Sequence, residues 1–368
     1  MIVGGVLARR NGSAFRPSSH ARAPRTCVVL AALAAAVPAF AHHSFFGRFD
    51  TLTIAEIEGE VTDLLWRNPH AGLTLRARDA NGLVTDWAVE TSSLTVLKRM
   101  GIDEGTIKVG DRIKLAGNPS ASGKKEMYAR NVLLPDGREL LLNVGLKPRW
   151  TQNAVGDESL LMAQKGDPSA PELGIFRVWS HTRAIARLFP EATDPSFDIQ
   201  SYPMTPAARS ALAKFDSARD NPIANCVAKG MPTIMEAPYP MEFVRAANGN
   251  VLLKIEEYDL ERTIDMHATA APAGAAATPL GYSVGKWDGK TLVVTTSRIS
   301  WPWFSQRGIP QSAGVVIAER FTPTADGSRL DYEMTVTDPV NFTRPVVLAT
   351  HWFWLPNVHL IPYNCAAR

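Results

Sequence analysis

The sequence predicts a mainly β protein, an N-terminal OB-like small β-barrel followed by a larger antiparallel β-barrel or sandwich with a short helix. Three observations carry this. Period-two alternation of apolar and polar residues recurs along the chain, Asn-Gly and Asp-Gly pairs punctuate it, and helical signals are confined to two short stretches. The 368 residues are 45% hydrophobic and 20% charged, with 26 Gly, 26 Pro and 3 Cys. That balance excludes a disordered, collagen-like or disulfide-dense chain.

The first 41 residues read as a secretory signal. Arg9, Arg10, Arg16, Arg22 and Arg25 precede an apolar run from Cys27 to Val37, and Ala39-Phe40-Ala41 supplies the small residues of a cleavage site. The run is too short to span a bilayer and ends at Pro38. The expectation is therefore a periplasmic or secreted protein with no integral membrane segment after cleavage. Those five arginines also account for the formal charge of +3. Without them the chain is slightly acidic, which argues against a nucleic-acid partner, because phosphate binding needs clustered Lys and Arg. Cleavage leaves Cys226 and Cys365 in an oxidising compartment, and they are expected to pair; two separately buried thiols are the alternative.

Residues 42–143 are expected to form the small barrel. Strands are predicted over Ile54 to Leu65, Gly72 to Arg78 and Val84 to Val89, with Asp79-Ala80-Asn81-Gly82 as a turn. Ser92 or Ser93 caps a short helix ending at Gly101. Two further strands follow, from Gly110 to Pro119 and from Glu126 to Leu134. Three strands, a helix and two strands is the order of an OB-type barrel. Trp66 and Trp87 stand among as many acids as bases, unlike a strand-binding OB face.

Within this region His42-His43-Ser44-Phe45, Gly59-Glu60-Val61, Trp66-Arg67-Asn68-Pro69-His70 and Trp87-Ala88-Val89-Glu90 resemble a family of exported bacterial proteins that is a domain of unknown function. The resemblance implies export and a compact β domain. It implies no reaction.

Signal cleavage after Ala41 would place an α-amine, two imidazoles and a peptide nitrogen together at His42-His43. These are Cu(II)-type donors; the terminal His can chelate through its amine and Nδ1, and His70 can supply a third nitrogen. Copper is the candidate metal, zinc the runner-up. The bland alternative is a frayed end with idle histidines and a His70 that only hydrogen-bonds its turn.

Residues 144–173 are punctuated by Gly and Pro and read as a linker. Residues 174–368 form the second domain. After a strand from Gly174 to Ser180, Thr205-Pro206 signals a helix start, with Pro at the first helical position. Eight strands follow: Met241 to Ala246, Val251 to Tyr258, Arg262 to Met266, Tyr282 to Trp287, Thr291 to Arg298, Val315 to Phe321, Leu330 to Thr337 and Val346 to Trp354. An eight-to-ten-stranded barrel or sandwich is expected. Pro238-Tyr239-Pro240-Met241-Glu242, the run from Gly285 to Val294, Glu319-Arg320-Phe321 and Asp338-Pro339 resemble a second uncharacterised module of exported bacterial proteins. The sequence departs from that pattern after Ile264, where Ala268 to Ala277 is rich in Ala.

Alternation places Glu257 and Glu319 on apolar faces, so each charge needs a partner; Arg262, Arg320 and Arg344 are the candidates. Paired inward carboxylates can serve a hydrolase as acid and base, and equally can close a structural ion-pair network. Trp301, Trp303, Tyr332, Trp352 and Trp354 form an aromatic belt suited to a small apolar or sugar-like ligand, or to plain core. Ser283 matches the letters of a nucleophile elbow but sits inside a strand pattern. The reading that results is a secreted periplasmic binding protein, non-catalytic, with a small molecule in the second barrel. Copper binding and a paired-Glu hydrolase are the alternatives.

Overall fold

The computed structural model describes residues 48–365 apart from 80, 144, 157–172, 181–187, 193–196, 217–219, 221–225, 237–238, 355 and 357. The leader and His42-His43 lie outside the described residues.

The first five strands are β1 (Ala55–Leu65), β2 (Gly72–Arg78), β3 (Val84–Glu90), β4 (Arg112–Pro119) and β5 (Glu126–Leu133), with helix α1 (Leu94–Arg99) between β3 and β4. Strand β1 is central, antiparallel to both β2 and β4, and the ring closes where β3 meets β5 in parallel, Val89 opposite Met127. This is the OB order. Gly59 belongs to the Gly-Glu-Val motif because β1 is squeezed at that point: a Cβ there would strike the Arg76 carbonyl on β2. Ser93 caps α1, its hydroxyl accepting the Val96 N–H at 3.4 Å. Leu97 is buried among Leu75, Leu115 and Val132, fixing the helix across the barrel.

Strands β6 (Glu139–Leu141) and β7 (Ala154–Val155) extend this sheet, so the segment expected as a linker, 144–173, contains a short strand paired to β6. One carboxylate organises that extension. Glu139, fully buried, accepts the N–H groups of Arg149, Trp150 and Thr151 at 2.7, 2.9 and 3.1 Å and the Asn131 amide at 2.7 Å. Burial alone would raise its pKa, but the donors reverse this and hold the carboxyl below its usual range.

The second sheet comprises β8 (Val178–Ser180), β9 (Met241–Arg245), β10 (Val251–Ile255), β11 (Leu260–Asp265), β12 (Tyr282–Asp288), β13 (Thr291–Ser297), β14 (Val316–Pro323), β15 (Arg329–Thr337) and β16 (Val346–Trp354), with helix α2 (Pro206–Leu212) between β8 and β9. The nine strands close into a barrel, not a sandwich, with β16 pairing β8 and β8 pairing β9. Thr205 caps α2 by accepting the Ala208 N–H at 3.2 Å, with Pro at the start. All pairings are antiparallel except β11 with β12, where Ile264 lies opposite Ser283. That exception is a matter of parity. A closed ring tolerates only an even number of direction reversals, so nine pairings require a parallel one. The crossover it needs is residues 266–281, which contain the Ala-rich stretch. Gly285 of the second motif passes close to this crossing, since a Cβ would lie 2.6 Å from Ile264 and 2.7 Å from Met266.

Two hydrophobic cores result, one per barrel, and Val96 of α1 packs against both. At this junction Arg99 forms a bidentate ion pair with the buried Glu256. The Sγ atoms of Cys226 and Cys365 lie at disulfide distance, with their Cα atoms 5.9 Å apart. No helix among the described residues is long and apolar enough to cross a membrane.

Candidate functional site

Two motif segments, those of His70 and Glu90, meet Arg48 at one corner of the small barrel. Arg48 donates to Glu90 at 2.5 Å and to Glu126 at 3.2 Å, bringing the chain that follows His42-His43 against the end of β3. The other Glu90 oxygen lies 3.8 Å from the His70 Nδ1. His70 itself is held through Nδ1, 3.0 Å from the Thr91 carbonyl. A carbonyl can only accept, so Nδ1 carries the proton, and in the neutral ring Nε2 bears the lone pair. The ring is 40% exposed. Metal-binding imidazoles are commonly prepared in this way, one nitrogen fixed by a carbonyl and the other presented outward.

Asn68, two residues earlier, ties the turn to its surroundings. Its side chain is buried, accepts the Leu94 N–H at 2.9 Å and donates to the Tyr363 carbonyl. Asn68 and Glu90 stand in the sequence motifs and Arg48 in none of them; their pairing across separated segments is visible only in the fold. Among the described residues, no group of three or more His, Cys, Asp or Glu is arranged to hold a metal. A site built on His70 must therefore take further donors from outside them.

The two candidate carboxylates belong to separate networks. Glu319 faces into the large barrel as alternation predicts, and both its oxygens take the Arg262 guanidinium, at 2.9 Å through Oε1 and in a closer contact through Oε2. Tyr332 donates to Glu319 at 2.8 Å, and Arg262 reaches Ser283 at 2.9 Å and Thr296 at 2.5 Å. Burial and the neighbouring carboxylate push the Tyr332 hydroxyl well above its ordinary range. Ser283 is thus a hydrogen-bond acceptor in a core network, not a hydroxyl at a strand-to-helix turn. Glu257 lies elsewhere. Strand β10 stops at Ile255, and Glu257 begins a turn in which Tyr258 and Asp259 take positive φ. Its partner is Lys229, at 2.6 Å, rather than any of the three nominated arginines. Arg320 instead pairs with Asp288 at the surface, and Arg344 is exposed. Around Glu257 stand Tyr239, Tyr258 and Tyr363, whose pKa values rise through burial first and the carboxylate second for Tyr239 and Tyr258, and through burial, Tyr239 and then the carboxylate for Tyr363.

The aromatic belt separates into three groups. Tyr332 and Trp352 pack with Phe321, ring centroids 4.7 to 6.4 Å apart, and each is at most 2% exposed. Almost none of their surface borders a space that water could enter, so at this level the barrel is filled by side chains. Trp301 is buried and donates to Thr233 at 3.0 Å, while Trp303 is half-buried against Phe215 at 4.9 Å. Trp354 lies under the Arg177 guanidinium, 4.2 Å from the ring centre.

Comparison with known proteins places the motifs in one region. Residues 30–129 match a family of unknown function (DUF6152). The match spans β1 to β4, the start of β5, and all four quoted motifs of the small barrel. Neither the curated proteins nor the solved structures contain a match to the chain.

Proposed function

We propose that this chain is an exported, non-catalytic binding protein, and that its ligand is Cu(II), held by the mature amino end at His42-His43 together with His70. The observation that carries this reading is the fixed ring of His70, whose Nδ1 is committed to the Thr91 carbonyl and whose Nε2 is the donor left for a metal. Reach supports it. From Arg48, docked on Glu90 beside His70, the chain back to His43 is five residues, a span of up to about 17 Å. A terminal His offers its amine, its imidazole and the following peptide nitrogen, and His70 adds a nitrogen from the barrel; such a nitrogen-rich set suits Cu(II) above other divalent ions. The chain's part is to bind and orient. A small apolar or sugar-like ligand in the barrel interior has less support, because Tyr332 and Trp352 are packed against each other.

Protein beginning at His42 is expected to bind one equivalent of Cu(II) with a nitrogen-rich EPR spectrum. Placing one extra residue before His42 removes the α-amine and should abolish that spectrum, and His70→Gln should reduce the nitrogen hyperfine structure and weaken binding about tenfold or more. Spectra identical in all three proteins would defeat the proposal.

A further inference from the structure

The last described residues, 358–365, form a strap that belongs to neither barrel's sheet and is gripped by both. From the small barrel, Asn68 donates to the Tyr363 carbonyl and bridges Cys365, and Arg99 donates to the His359 carbonyl at 3.0 Å. From the large barrel, Glu256 accepts the Ile361 N–H at 3.1 Å and Asp259 accepts the Tyr363 N–H at 2.9 Å. The Tyr363 ring fills the gap between Tyr239 and Tyr258, with centroids 5.3 and 5.1 Å away. Cys365 then meets Cys226, three residues before the buried Lys229 that neutralises Glu257. Four residues of this junction other than glycine, Cys226, Tyr258, Asp259 and Asn364, have φ of 58°, 62°, 52° and 47°. L residues enter that region only where surrounding contacts hold them.

We propose that the Cys226–Cys365 pair is a redox latch on this strap. Reduction by a dithiol releases residues 358–365 from between the barrels and loosens the Asn68–His70 turn, while each barrel keeps its own fold. The chemistry is ordinary exchange. One thiolate of the reductant attacks a bridge sulfur and the other cysteine leaves as a thiolate; the second reductant thiolate then breaks the mixed disulfide. Two electrons pass to the bridge, two cysteine thiols form on protonation, and the reductant closes to its own disulfide. Access is available, because both cysteines are half-buried and are flanked by exposed Val227 and Asn364. The barrels survive because their sheets close without the strap. The latch concerns the metal-free protein and stands whether or not copper binds.

Hydrogen exchange read by mass spectrometry tests this on the full chain in three forms: oxidised, reduced and alkylated under native conditions, and Cys226→Ser/Cys365→Ser. Exchange in the strap and across residues 66–71 is expected to quicken about tenfold or more in the second and third forms. Rates in β13, β14 and β15 should stay unchanged. Unaltered strap exchange overturns the proposal, as does a bridge reducible only in denaturant. Uniform acceleration through both barrels also overturns it, since the bridge would then be a global stabiliser and not a latch.

Discussion

Removing the Arg262 guanidinium leaves the Glu319 carboxylate in a fully buried site with Tyr332 and Thr296 as its donors among the described residues. Breaking a buried pair from one side costs about 3–5 kcal/mol, because the remaining charge has neither water nor counter-ion. Arg262→Met is expected to lower stability by that amount in urea unfolding. Arg262→Met with Glu319→Leu should lose clearly less than the sum of the two single changes; simple additivity would show that the two charges do not depend on each other. Glu319 and Glu257 each face a buried cation, Arg262 and Lys229.

At the scale of elements, Glu139 ties β6 to the turn at 149–151 and so sets where β7 can pair. Its folded pKa is depressed, so between the folded and unfolded values the unfolded chain binds the extra proton. The contribution is therefore present above the unfolded pKa and fades as pH falls through the lower, folded one. Stability of the small barrel should decline below about pH 5. Glu139→Gln should be less stable at neutral pH by about 1–3 kcal/mol and show a shallower acid slope, since it loses charge-assisted bonds but has no proton to take up. Parallel pH–stability curves for the two proteins would refute the role given to this carboxylate. The strand ends obey the same local logic. Strand β10 stops at Ile255 because the next residues turn out of the sheet to place Glu256 against Arg99 and Glu257 against Lys229.

For the whole molecule, the junction decides whether two barrels behave as one body. Arg99 and Glu256, Asn68 and Tyr363, and Val96 lodged against both cores are contacts of one barrel with the other. The intact chain should melt with coincident transitions when followed by tryptophans of the small barrel and of the large one. In Arg99→Met, the buried Glu256 carboxylate keeps only the Ile361 N–H among its described partners, and the two transitions should separate. Coincident melting in the variant would show that the ion pair does not couple them. Both rings also share a topological feature. Five pairings and nine pairings are odd numbers, and each barrel closes through one parallel pair, β3 with β5 and β11 with β12. The Ala-rich segment is thus the crossover that lets the large ring close.

Strand positions were legible in the sequence because alternation and turn chemistry act over a few residues: β2 runs from Gly72 to Arg78 and β16 from Val346 to Trp354, at the bounds that the pattern gives. The Thr205 cap was legible for the same reason, while the cap of α1 was narrowed only to Ser92 or Ser93, and the fold uses Ser93. The inward face of Glu319 followed from period two, but its partner could be narrowed only to three arginines. Which arginine, the choice of barrel over sandwich, the parallel closures and the meeting of Arg48, Glu90 and His70 were decided by tertiary structure. Each depends on segments far apart in the chain, whose approach is set by closing a ring and filling its core, and no local pattern records that distance.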